Sequence, residues 1–155
     1  MLRICTRINE ELAQKEKYFV LIRLIEFIQA FEDTTEQEWE FVETVADTFN
    51  VDRVSYQGIR ELVKNQDWTF TDLPHFLFVS ANIEKEGVQA KQLKLDGLQG
   101  ALVFYRLEKE NMFFLRYFGT DDLLLNGQVL STGSSSVFNQ GASIRGSKIS
   151  SIYYS

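Results

Sequence analysis

Glycine and proline divide this chain. Residues 1–66 contain a single glycine, Gly58, and no proline, whereas the other eight glycines and the only proline, Pro74, all follow. A segment free of both punctuators can run in long helices, while a glycine-dense one is held to short elements joined by tight turns. The hydrophobic period changes at the same place, from three-to-four residues to two. The expected fold class is therefore α+β, a small all-helical bundle over residues 1–67 followed by an all-β sandwich or roll of short strands over 74–155.

In the first part, Tyr18 to Phe31 reads YFVLIRLIEFIQAF, and its polar residues Arg23, Glu26 and Gln29 are spaced by three. Apolar residues cover most of the remaining circumference, which predicts a central helix surrounded by neighbours. A bilayer span needs roughly 18–20 apolar residues, and this run is shorter and carries Arg23 and Glu26 near its middle. Ahead of it, Ile4, Ile8 and Leu12 recur every four residues and predict a first helix lying along the central one, with Cys5 on or beside the stripe as a small buried hydrophobe. Behind it, Thr35 and Glu38 have capping-box spacing, and Trp39, Val42, Val45, Ala46 and Phe49 supply the core positions of the helix they start. Asp52 is placed to cap a further helix, with Val51 and Tyr56 spaced as a hydrophobic staple and Ile59, Leu62 and Val63 facing inward.

From His75 onward, alternation and turn residues predict nine strands, over 75–81, 88–95, 101–107, 112–118, 122–125, 128–130, 134–138, 142–145 and 151–154. Asn126-Gly127 is the strongest hairpin signal, a dipeptide suited to a type I′ turn with positive φ at both central positions. The chain stops one residue after an apolar strand, which leads us to expect a larger protein continuing beyond Ser155.

The charge and composition narrow the function classes. A formal net charge of −6 and a pI near 4.9 argue against binding a nucleic-acid backbone or an anionic membrane surface. One cysteine rules out an intrachain disulfide, and with one histidine, His75, the chain cannot assemble a structural zinc set. The amino terminus has no apolar run of the signal-peptide kind, so a soluble, cytoplasmic chain is expected. No serine or cysteine has a base and an orienting acid placed beside it in the sequence, so no catalytic residue is assigned. Gly141 to Lys148 carries two glycines five apart, but Ser147 stands where a phosphate-binding loop needs lysine, and the segment lies among β turns.

The sharpest concentration of one charge is the span from Glu32 to Asp47, with seven acids and no Lys or Arg. Asp33, Glu36 and Glu38 could gather oxygen ligands for a hard cation, Ca²⁺ or Mg²⁺. The structural alternative makes Glu36 and Glu38 first-turn acids facing the helix dipole, and Glu40, Glu43 and Asp47 a solvated face. Arg106, Arg116, Arg145 and Lys148 are a weaker candidate set for an anion.

Four stretches carry a family resemblance. CTRINEELAQKEKYFVLIRLIEFIQA, TEQEWEFVETVADTFNV, RYFGTDDLLLNGQVL and GASIRGSKISSIYYS resemble the amino-terminal region of ATP-binding cassette (ABC) transporter ATP-binding proteins of Bacteroidetes. That resemblance implies a helical module similar to the tellurite-resistance TerB family, then a β module, with ATP bound by a nucleotide-binding domain further along and transmembrane helices after it. The expected partners are those downstream domains or a separate protein, at the cytoplasmic side of the inner membrane, and the implied role is accessory, regulatory or protein-interacting. In TerB-like proteins the turn after the central helix carries acids thought to favour a metal, which map here to Asp33, Thr35 and Glu38, with Thr34 standing where glycine is usual. Asn126-Gly127, Leu130, Gly141 and Ile144 are similar to the late hairpin and turn of forkhead-associated domains. The phosphothreonine-reading segments of that family are absent upstream, so the resemblance implies a degenerate scaffold.

Overall fold

The computed structural model of the chain describes residues 13–31, 33, 35–64, 75–81, 91–132 and 134–154. The expected first helix, with Ile4, Cys5, Ile8 and Leu12, lies outside the described residues, as do Glu32, Thr34 and Pro74. The chain forms two compact units, Met1–Lys64 and Asn65–Ser155. Helices followed by two mostly antiparallel sheets give an α+β class. No helix among the described residues is long and apolar enough to cross a membrane.

The helical unit contains α1 (Gln14–Gln29), α2 (Glu36–Thr48) and α3 (Arg53–Lys64). α1 packs against both of the others. It begins four residues before the apolar run, and its first residue ties it to the end of α2, where the Gln14 side-chain amide donates to the Phe49 carbonyl at 2.9 Å. The buried face of α1 is Tyr18, Leu21, Ile22, Ile25 and Ile28, a 3-4 stripe. The helices described around it cover only that stripe: Phe19 and Phe27, and Phe31 just past its end, stay 42%, 62% and 53% exposed. One stripe is enough to meet two partner helices, and the aromatic residues off that stripe pair locally. Arg23 sits 4.9 Å from the Phe19 ring, and Phe27 meets Phe31 edge-on at 5.1 Å.

Both expected caps form. Thr35 accepts from the Glu38 amide through its hydroxyl, and the Glu38 carboxylate accepts from the Thr35 amide, closing the box that starts α2. Asn50 takes a φ of 58°, which turns the chain out of α2 while the Val51 amide bonds back to the Ala46 carbonyl at 2.9 Å. Asp52 then accepts from the Ser55 amide at 3.1 Å and starts α3, and the staple residues Val51 and Tyr56 are both buried. Val42, Val45, Ala46, Phe49, Ile59, Leu62 and Val63 are buried as their spacing predicts, while Trp39 is only half-buried.

Among the described residues the β unit has nine strands, β1 (Phe76–Ser80), β2 (Lys91–Lys94), β3 (Ala101–Leu107), β4 (Met112–Phe118), β5 (Leu124–Leu125), β6 (Gln128–Val129), β7 (Ser135–Asn139), β8 (Ser143–Gly146) and β9 (Ile149–Tyr153). One sheet runs in the order β2-β1-β3-β4-β7 and the other β6-β5-β8-β9. Among the described residues all pairings are antiparallel except β1 with β2. A single apolar cluster draws on both sheets, with Val79, Leu102, Phe104, Leu115, Tyr117 and Phe138 from the first and Ile144 from the second. Phe104, Phe113, Phe138 and Tyr154 extend it through edge-on and tilted ring contacts at 5.4 to 6.4 Å. Asn126 and Gly127 have φ of 51° and 85°, the expected I′ signature, and the Asn126 side-chain oxygen accepts from the Ser143 amide of β8. His75 stands in a turn of positive φ just ahead of β1, with its carbonyl accepting from the Arg106 amide at 2.8 Å.

Candidate functional site

The residues that come together with unspent chemistry lie in the corner between α2 and α3. Only Phe49 to Asp52 join these helices, so the last turns of α2 and the first turns of α3 face one another across a cleft with a volume of about 80 Å³. From α2, Glu43 and Asp47 share one face at i, i+4 spacing. From α3, Arg53, Tyr56, Gln57 and Arg60 share one at i, i+3, i+4 and i+7. Ala46 and Val51, both buried, form the apolar floor with the Tyr56 ring.

Arg60 is held in place by Trp39, whose ring centroid is 3.9 Å from the guanidinium carbon. The Tyr56 hydroxyl is sealed from solvent; the Arg60 guanidinium lies within hydrogen-bonding reach of it, but the bond is not well formed. Burial pushes this phenol above the ordinary tyrosine range; Arg60 opposes that shift and Glu43 adds to it. The ion pairs among the described residues are Arg23–Glu26, Lys94–Asp96 and Lys148–Asp121, so none joins the α2 acids of the cleft to the α3 arginines. Two carboxylates and two guanidiniums therefore line one small cleft with no ion pair across it, Glu43, Asp47 and Arg53 exposed and Arg60 half-buried.

Sequence reasoning did not find this cleft. It placed Glu43 and Asp47 on a solvated acidic face, used Tyr56 as a staple and did not single out Arg53 or Arg60. The available signal was an acid pair at i, i+4 ending one helix and a basic pair at i, i+7 beginning the next, joined by a short turn.

The sequence-derived metal set falls elsewhere. Asp33 lies exposed in the turn before α2, Glu36 is exposed at the first helical position, and Glu38 has its carboxylate engaged in the capping box. Among the described residues, no three His, Cys, Asp or Glu side chains gather in a group that could hold a metal ion. The four basic residues considered for an anion are also dispersed. Arg106 and Arg116 belong to β3 and β4 of one sheet, Arg145 to β8 of the other, and Lys148 to the β8–β9 turn, 4.0 Å from Asp121. Arg116 is buried with its guanidinium 4.5 Å from the Phe118 ring. The Gly141–Lys148 stretch is a turn, the strand β8 and the β8–β9 turn.

A polar knot lies at the loops of the β unit. The Tyr117 hydroxyl donates to the Gln99 carbonyl at 2.7 Å and accepts from the Asp121 amide at 3.2 Å, while the Gln99 side-chain oxygen accepts from the Thr120 amide at 2.6 Å. These bonds tie the loop between β4 and β5 to Gln99 and hold it in place. No family model, no curated protein and no solved structure matches this chain.

Proposed function

We propose that this chain is a non-catalytic, cytosolic accessory region of an ABC transporter, regulatory or protein-interacting, whose ATPase and membrane domains lie downstream. The observation that supports it is the order of the parts: a compact helical unit and then a compact β unit, on the stretch whose sequence resembles the start of such proteins. In this reading the helices are a TerB-like module, and the two sheets are a small sandwich of degenerate forkhead-associated type. Its partners are the downstream nucleotide-binding and transmembrane domains or a protein held against them. The test is to read the coding sequence that follows and to delete residues 1–155 from the full transporter. A downstream phosphate-binding loop and membrane spans, with ATPase activity that survives the deletion but loses its regulation, support the proposal. Their absence overturns it.

The second reading is a divalent-cation module at the turn before α2. It is favoured by the exposed carboxylates of Asp33 and Glu36 at the start of a helix, and it would draw Glu38 away from its cap. Calorimetric titration with Ca²⁺ and Mg²⁺ decides it: no saturable heat up to about 1 mM counts against it.

A further inference from the structure

We propose that the α2–α3 corner binds a small zwitterion, a free α-amino acid, with its carboxylate on Arg53 and Arg60 and its ammonium on Glu43 and Asp47. Opposite charges that face a shared space ordinarily close into ion pairs or turn to water. Here the two signs come from different helices and do not pair, although only a short turn separates their elements. A simple anion on the arginines would leave the two carboxylates as uncompensated neighbours, and a simple cation on the carboxylates would leave the arginines so. A ligand carrying both signs within a few bonds answers all four groups together.

Three further features fit that class. Arg60 is stacked on Trp39 and so offers its planar fork in a fixed orientation, which favours a carboxylate over a spherical anion. The Tyr56 hydroxyl beside Arg60 has donor capacity that no well-formed hydrogen bond uses, and a carboxylate seated on Arg60 would take it up on a small turn of the phenol. The floor of Ala46 and Val51 accepts an aliphatic side chain. At about 80 Å³ the space exceeds the roughly 10–15 Å³ that one water needs but suits a small amino acid better than a folded peptide. The inference uses only residues of the helical unit and does not depend on the transporter proposal.

The test is a two-dimensional amide NMR titration of the whole chain with glycine, alanine and leucine, and separately with acetate and with methylammonium. The expected result is saturable shifts confined to residues 43–60 for at least one amino acid, with acetate and methylammonium each binding about tenfold or more weakly. Arg53→Gln and Glu43→Gln, both at exposed side chains, should each weaken binding about tenfold, and Tyr56→Phe, which keeps the ring, about threefold or more. The proposal is overturned if no amino acid gives saturable shifts by about 20 mM, if acetate alone binds as tightly, or if the charge variants keep native spectra and bind unchanged.

Discussion

The guanidinium of Arg60 lies 3.9 Å from the centroid of the Trp39 ring, one turn of α3 laid over one turn of α2. This contact crosses the two helices where Trp39 is only half-buried, so it shields an aromatic face that the core does not cover. Arg60→Gln should lower the stability of the helical unit by about 0.5–1 kcal/mol, with Arg60→Lys keeping part of it. Urea titration followed by circular dichroism at 222 nm checks this, and wild-type midpoints for both variants would show that the stacking contributes nothing.

The capping box makes a second, separable prediction. Thr35→Ala removes the acceptor for the Glu38 amide and should cost about 1 kcal/mol, whereas Glu38→Gln keeps a side chain able to reach back to the Thr35 amide and should cost less. The order of the two midpoints is the measurement; a reversed order would mean that the Glu38 charge, rather than its hydrogen bond, starts α2.

Two glycines with nearly the same φ should respond differently to alanine. At Gly97 (φ 84°) an added Cβ would run into the carbonyl oxygen of Lys148, a backbone atom that cannot swing away, while at Gly127 (φ 85°) it would meet nothing within 4 Å. Gly127→Ala should therefore cost about 1 kcal/mol, the conformational term alone. Gly97→Ala should cost about 1–3 kcal/mol more from the forced displacement. Equal losses in denaturant would show that the loop around Gly97 moves freely from the β8–β9 turn.

Burial raises the hydroxyl pKa of Tyr117, opposed by its bond from the Asp121 amide, and burial likewise raises that of Tyr56 against the pull of Arg60. A phenol whose folded pKa exceeds its unfolded value holds its proton more tightly when folded. Its contribution is fully present below about pH 10 and is lost as pH rises through the folded pKa. The unfolding midpoint should fall above about pH 10, and Tyr117→Phe and Tyr56→Phe should each make that fall shallower. If the double variant falls as steeply as the native chain, other groups control the alkaline limit.

What the sequence disclosed follows how local each feature is. The caps at Thr35 and Asp52 and the turn at Asn126-Gly127 are written in a few neighbouring residues, and they appear where expected. Strands β3 and β4 coincide with their expected ranges because each is a seven-residue, almost wholly apolar run and the two meet across a short connection. The short strands shifted by one or two residues at their edges, since two to five residues hold too few periods to fix a boundary. The parallel pairing of β1 and β2 and the insertion of β4 beside β7 are long-range choices with no local signature. The exposure of Phe19 and Phe27 was hidden for a related reason: composition says that a residue is apolar, and only the partner helices decide which apolar face is used. The cleft stayed invisible because it needs two helices and the corner angle between them.

The hairpin of β3 and β4 has a consequence for the order of assembly. Its connection is only the short helical turn Glu108–Glu110 and Asn111, while every other pairing in that sheet closes a longer stretch of chain. Loop-closure entropy then favours this hairpin as the nucleus on which β1 and β7 dock from either side, with β2 reaching its edge position last. Pulse-labelled hydrogen exchange during refolding should find the amides of Val103 and Leu115 protected before that of Leu93, and early protection at Leu93 would reverse the sequence of events.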